Sequence, residues 1–169
     1  MKKFLIFFLL ISNFSYAEDK IVYLDMSILL KESNVGKFVN NELKKISNLN
    51  SDELKKIETS IKDEDQKLIK QKNILKEEEY KIKADQLISK FKEFQNLTKK
   101  KNMELNNLKT DAGNKILKSI NEILSEYSKK NSISLIINKN NIIIGKVNLD
   151  ITSDILDLLN KKISKIEFN

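Results

Sequence analysis

Between residues 37 and 130 the apolar positions follow a seven-residue rhythm. Leu54, Ile61, Leu68 and Leu75 recur at that spacing with Ile57 on the intermediate row; Ala84, Phe91, Thr98, Leu105 and Ala112 repeat it with Leu87, Phe94 and Leu108. Such rows place one apolar stripe on each of two helices, the pattern of a coiled-coil seam. The stretch has no Pro, has Gly113 as its single Gly, and is filled with Lys, Glu, Leu, Ile and Asn, so helix is its natural state. The seam is thin, because Glu64, Gln71, Thr98 and Lys101 stand where apolar residues belong. Each helix can therefore cover about one partner. A single helix of this length would exceed ~130 Å at ~1.5 Å per residue, whereas folding back gives two arms of roughly 60 to 75 Å. The expectation is an antiparallel coiled-coil hairpin over residues 37–130 that reverses near 76–79.

The flanks have a different period. Residues 21–24, 133–137 and 142–147 are short β-branched runs bounded by polar residues and predict three strands, with residues 138–141 as a tight loop between the last two. Thr152 then offers an N-cap to an amphipathic helix carrying Asp154, Ile155, Leu156, Leu159 and Ile163. Asp25 and Asp150 follow strands and precede helical segments, which makes them caps rather than catalytic groups. Gly36 is expected to end a short helical turn over 27–32, and Gly145 to sit in a strand as a bulge or a close backbone approach. The fold class is α+β and mostly α: a helical hairpin projecting from a small β-rich body made of residues 18–36 and 131–169. That body buries little and leaves sheet edges open, so subunits pairing those edges would complete it.

The first residues carry an address. Lys2 and Lys3 precede an apolar run over residues 4–11, and Ser15-Tyr16-Ala17 supplies small residues at the −3 and −1 positions. This is the form of a signal peptide spanning residues 1–17 with cleavage after Ala17, and the run is too short for a membrane span, which needs ~20 apolar residues. The sequence contains no G-x-x-x-x-G-K-[ST] phosphate loop, and an exported protein cannot count on cytosolic ATP, so its work is expected to need no nucleotide.

Composition narrows the chemistry further. With no Cys and no His, disulfide scaffolds, thiol nucleophiles, imidazole bases and the usual zinc sites are removed, and no cofactor, metal site or enzymatic activity is expected. The net charge is +7, and all 31 basic residues are Lys. Lysine is a hydrated point charge without the planar fork that reads phosphates or base edges bidentately, so the surface suits diffuse attraction. Without Arg, Trp or interleaved aromatic and basic residues, no specific nucleic-acid partner is expected.

Ile21-Val22-Tyr23-Leu24-Asp25-Met26, with Ser33-Asn34-Val35-Gly36-Lys37 behind it, resembles the start of the Skp/OmpH family of periplasmic chaperones. Leu149-Asp150-Ile151-Thr152 with Ile155-Leu156 and Leu159-Asn160 resembles its closing segment. The resemblance implies a periplasmic homotrimer whose three arms enclose unfolded outer-membrane β-barrel proteins and prevent their aggregation. A structural coiled-coil protein that spaces or tethers envelope layers is the alternative. On the chaperone reading, the apolar arm residues off the seam, Tyr80, Ile82, Ile88, Leu97 and Met103, are candidates for client contact, many weak contacts being summed by effective concentration. The returning helix is the basic one, with twelve Lys against six acids over residues 80–130 and ten against ten over 37–79. Lys81, Lys83, Lys90, Lys92, Lys99, Lys100 and Lys101 are candidates for steering acidic chains, anionic lipid or lipopolysaccharide headgroups toward the arm. Gly113, which costs a helix about 1 kcal/mol relative to Ala, is the hinge candidate.

Overall fold

The structure, a computed structural model, describes residues 19–168. The expected signal peptide and its cleavage site lie outside the described residues. Strand β1 (Lys20–Leu24) leads into a short helix α1 (Met26–Glu32), a long helix α2 (Asn34–Gln71) and its antiparallel partner α3 (Glu77–Asn131), then strand β2 (Ile133–Asn138) and a terminal helix α4 (Thr152–Lys162). At ~1.5 Å per residue the 38 residues of α2 and the 55 of α3 extend about 57 and 82 Å, so α3 reaches the base and still has turns left to cross it.

The base is held by one apolar cluster. Val22 and Leu24 of β1, Leu29 of α1, Val35 and Val39 at the start of α2, Ala112, Ile116, Ile120 and Ile123 near the end of α3, and Ile155 and Leu159 of α4 are buried together. The α3 residues are spaced by four, four and three, which keeps one helix face on this core. The strands pair in parallel, Val22 beside Ile136 and Tyr23 beside Ile137, with a register irregularity between Lys20 and Ile21. Parallel pairing needs a long crossover, and here the helices between the two strands are that crossover.

Local chemistry sets the element boundaries. Asp25 caps α1 as expected: its Oδ1 accepts from the N–H of Ser27 at 2.9 Å and of Ile28 at 3.2 Å. Buried Ser33, in extended conformation, ends α1 and caps α2 by accepting from the Gly36 N–H at 3.1 Å. Gly36 thus lies inside α2 instead of ending the preceding turn. A Cβ there would stand 2.1 Å from the Leu30 carbonyl oxygen, so close approach is its reason.

Four further expectations are corrected. The arm reverses over residues 72–76, ahead of 76–79, because Glu77, Glu78 and Glu79 form the first turn of α3, where carboxylates complement the helix dipole. Residues 142–147 form no strand: Ile143, Ile144 and Val147 are exposed, and short 3₁₀ turns at Lys139–Asn141 and Val147–Leu149 bracket the run. A β-branched run becomes a strand only where a ladder partner exists, and at its C-terminal end β1 receives the Ile151 N–H on the Tyr23 carbonyl at 2.9 Å instead. Gly145 accordingly lies outside the sheet, its missing Cβ leaving room for the Tyr23 ring. Thr152 is the first residue of α4 rather than its N-cap; its Oγ1 accepts from the Asp25 N–H at 2.9 Å and ties α4 to the β1–α1 turn.

Candidate functional site

Between Val39 and Ala112, Leu68 is the one buried seam residue among the described residues of the arm; Leu54, Ile57, Ile61, Leu75, Ala84, Leu87, Phe94, Leu105 and Leu108 are half-buried. Of the four polar residues that interrupt the heptads, Thr98 bonds back to Phe94 of its own helix, and Gln71, Glu64 and Lys101 find polar partners across the hairpin. Lys83 donates to Gln71 Oε1 at 3.3 Å, Lys90 to both oxygens of Glu64 at 2.6 and 2.8 Å, and Lys101 to Glu53 Oε2 at 2.9 Å and Asn50 Oδ1 at 3.0 Å. These bridges share one antiparallel register, stepping seven and then eleven residues along each helix. They hold the alignment of two helices whose apolar stripe alone is narrow.

The seven candidate steering lysines therefore divide. Lys83, Lys90 and Lys101 are engaged within the hairpin, Lys101 with its side chain only 16% exposed. Lys100 lies 3.9 Å from Glu104 on its own helix. Lys81, Lys92 and Lys99 are exposed and make no ion pair among the described residues.

The five apolar candidates also separate. Ile82, Ile88 and Met103 are 55%, 53% and 55% exposed, while Tyr80 and Leu97 are half-buried. At about 100° per residue they spread round α3 and form no single patch. Ile88 is joined by Phe91, assigned to the seam by its heptad position but 49% exposed; with Ile61, Leu87 and Phe94 they line an open cleft of about 610 Å³. Met103 lines a second groove of about 460 Å³ with Phe94 and Thr98. Leu49, Ile69 and Ile74 are further exposed apolar residues of the arm that the heptad reading passed over. The available signal for Phe91 was Ile88 three residues before it, which widens the apolar stripe beyond the two seam rows. Gly113 lies in unbroken helix at the arm root, and a Cβ added to it would have nothing within 4 Å.

The base is tied by a polar cluster. Asp150 Oδ1 accepts from both the N–H and the hydroxyl of Thr152, and its Oδ2 from Lys139 at 2.9 Å. Burial opposes ionisation of Asp150, yet the Thr152 hydroxyl, the Lys139 ammonium and the Thr152 N–H together hold its carboxyl below the usual range. The Ser27 hydroxyl leads the groups that lower Asp25. Across the α3–α4 contact, Tyr127 donates to Asp154 Oδ2 at 2.6 Å, and this bond, followed by burial, pushes its phenol up to about 12. Asp25 and Asp150 sit at the joint between β1, α1 and α4, whereas Tyr127 and Asp154 line an open cleft of about 630 Å³ between α3 and α4 with Lys130, Lys161 and Lys162.

A long antiparallel helical hairpin on a small base of two parallel strands and short helices is a mostly helical α+β fold. Residues 20–159 match the family described as outer membrane protein (OmpH-like), and the chain belongs to that family. Its fold is similar to the crystal structure of a candidate outer membrane chaperone (OmpH-like) from Caulobacter crescentus CB15, with a TM-score of 0.82, 19% sequence identity and 90% of each chain covered. At that identity the likeness speaks for the fold. No curated protein matches this chain.

Proposed function

We propose that this protein is a periplasmic chaperone that holds unfolded outer-membrane β-barrel proteins, without ATP, between the arms of a homotrimer. The observation that carries the reading is the distribution of exposed Ile82, Ile88, Phe91 and Met103 along an arm whose clefts are open to solvent. A protein recognising one folded ligand concentrates its apolar contacts in one concave site. A holdase needs many weak contacts that together retain a client yet let each segment go. Membership of the OmpH-like family and the description of the Caulobacter relative support the same reading.

The homotrimer is supported by what the isolated base leaves open. Leu135, Ile143, Ile144 and Val147 are exposed beside a sheet of only two strands among the described residues. A second copy would cover them and supply the ladder partner that residues 142–147 lack. Lys81, Lys92, Lys99 and Lys100 would then steer clients or anionic headgroups by diffuse attraction. No catalytic step belongs to this reading.

The test is aggregation of a urea-unfolded porin on dilution, followed by light scattering, with the parent chain and with Ile82→Ser, Ile88→Ser, Phe91→Ser and Met103→Ser combined. The parent should suppress scattering, and the variant should do so several-fold less well at unchanged helicity and mass. Equal suppression removes the client surface from the arm. No suppression by the parent favours the coiled-coil spacer.

A further inference from the structure

The last described residues follow an unusual course. Helix α4 ends at Lys162, Ile163 turns to extended conformation (φ −148°, ψ 130°), and the chain then runs back over the root of the arm, beyond the residues that match the family. It touches both arm helices. The Phe168 ring lies 6.3 Å from Phe38 of α2 at an interplanar angle of 44°, and the Lys165 ammonium stands 5.8 Å from the centre of the same Phe38 ring. On the other helix, Lys115 of α3 donates to the Glu167 carbonyl oxygen at 2.7 Å. Ile163, Ile166 and Phe168 are half-buried against the edge of the core.

The location matters more than the contact strength. Val39 on α2 and Ala112 on α3 are the outermost residues of the buried core, and Phe38 and Lys115 lie just to the base side of them, where the core borders the thin seam. Bending of the arm relative to the base would concentrate there, and Gly113, between Ala112 and Lys115 on α3, is where helix is least costly to deform. A segment bonded to both helices at this boundary opposes both their separation and their tilt. An aromatic pair, a cation over a ring and one hydrogen bond are individually weak, so the segment can release without unfolding the base.

We propose that residues 163–168 are a strap that restrains the arm at its root, and that releasing it widens the range of arm positions while the base stays folded. The proposal concerns mechanics and stands independently of what the arm binds.

The chain has no Cys, so cysteines introduced at Ser51 on the arm and Ser153 on α4, both exposed, take spin labels at those positions alone. Labelled chain diluted into unlabelled chain reports distances within one subunit. A stop codon after Ser164 should broaden the distance distribution and raise amide exchange about tenfold at residues 37–43 and 112–119, leaving α4 and β1 within twofold of the parent. Phe168→Ala, which keeps the chain length, should act in the same direction to a smaller extent. An unchanged distribution in both variants overturns the strap. So does exchange that rises equally in β1, α4 and the arm root, which would make the segment a general part of the core.

Discussion

The two helical glycines should respond to the same substitution with opposite sign. In Gly36→Ala the new methyl would lie 2.1 Å from the Leu30 carbonyl oxygen, 2.8 Å from its carbon and 3.0 Å from Ser33 Oγ. Two of these neighbours are backbone atoms and cannot rotate away. Relief requires α2 to move from α1, which lengthens the 3.1 Å bond from the Gly36 N–H to the Ser33 cap. Loss of a cap costs about 1 kcal/mol and overpacking a further 1 to 3, so a loss of about 2 to 4 kcal/mol is expected. Gly113→Ala meets nothing within 4 Å and gains the helix propensity difference, about 0.8 to 1 kcal/mol. With about 2 to 4 °C per kcal/mol for a chain of this size, the first variant should melt lower by roughly 4 to 16 °C and the second higher by up to about 4 °C. Thermal unfolding followed by circular dichroism at one fixed chain concentration reads both, the concentration being held because association contributes to apparent stability. A neutral Gly36→Ala would refute the close approach of α1 to α2. A destabilised Gly113→Ala would refute the open surroundings of the arm root, and a narrowed range of client sizes alongside the expected gain in stability would mark Gly113 as a hinge.

Other expectations are more local. Glu64→Gln, which removes the charge facing Lys90, should cost about 0.2 to 1 kcal/mol at low salt and almost nothing near ~1 M, since both side chains are about half exposed; a double-mutant cycle in urea measures it. Asp25 and Asp150 have folded-state values below the ordinary 3.8, so their contribution is present in full above the unfolded value and is lost as pH falls through the folded ones. The gap in urea midpoint between the parent and Asp150→Asn should therefore shrink below about pH 4, and a gap that grows with acid would reverse the assignment. Replacing Lys81, Lys92 and Lys99 by Gln should slow client capture at low ionic strength and leave it unchanged at high, as stopped-flow fluorescence would report; equal rates at low salt would remove steering from these residues.

The heptad rows were legible because burial along a helix repeats with the chain, and Leu54, Ile61, Leu68 and Leu75 needed only a facing helix to be satisfied. What those rows conceal is register. Glu64 and Lys101 read as breaks in the seam, and their pairing with Lys90 and Glu53 becomes visible only when the position of the reversal is known. The reversal had a signal that a search for Gly and Pro overlooks: three glutamates in succession, Glu77 to Glu79, mark a helix start by charge. Residues 142–147 show the opposite limit. Their β-branched side chains favour extended backbone, but a strand is a relation between two segments, and among the described residues of one chain no ladder partner faces this one. Lying off the heptad rows foretold exposure for Ile82, Ile88 and Met103 but not for half-buried Tyr80 and Leu97, and the grouping of Ile88 with Phe91 and Ile61 depends on which residues α2 places beside α3.

In the proposed function, copies of this chain join through their bases and hold an unfolded guest between their arms. The most direct measurement is the solution mass of the chain beginning at Glu18, alone and after mixing with a urea-unfolded outer-membrane porin, with porin aggregation followed in parallel. A holding trimer should show the mass of three chains alone and form a soluble complex of three chains with one porin. A single chain that leaves the porin to precipitate would contradict it.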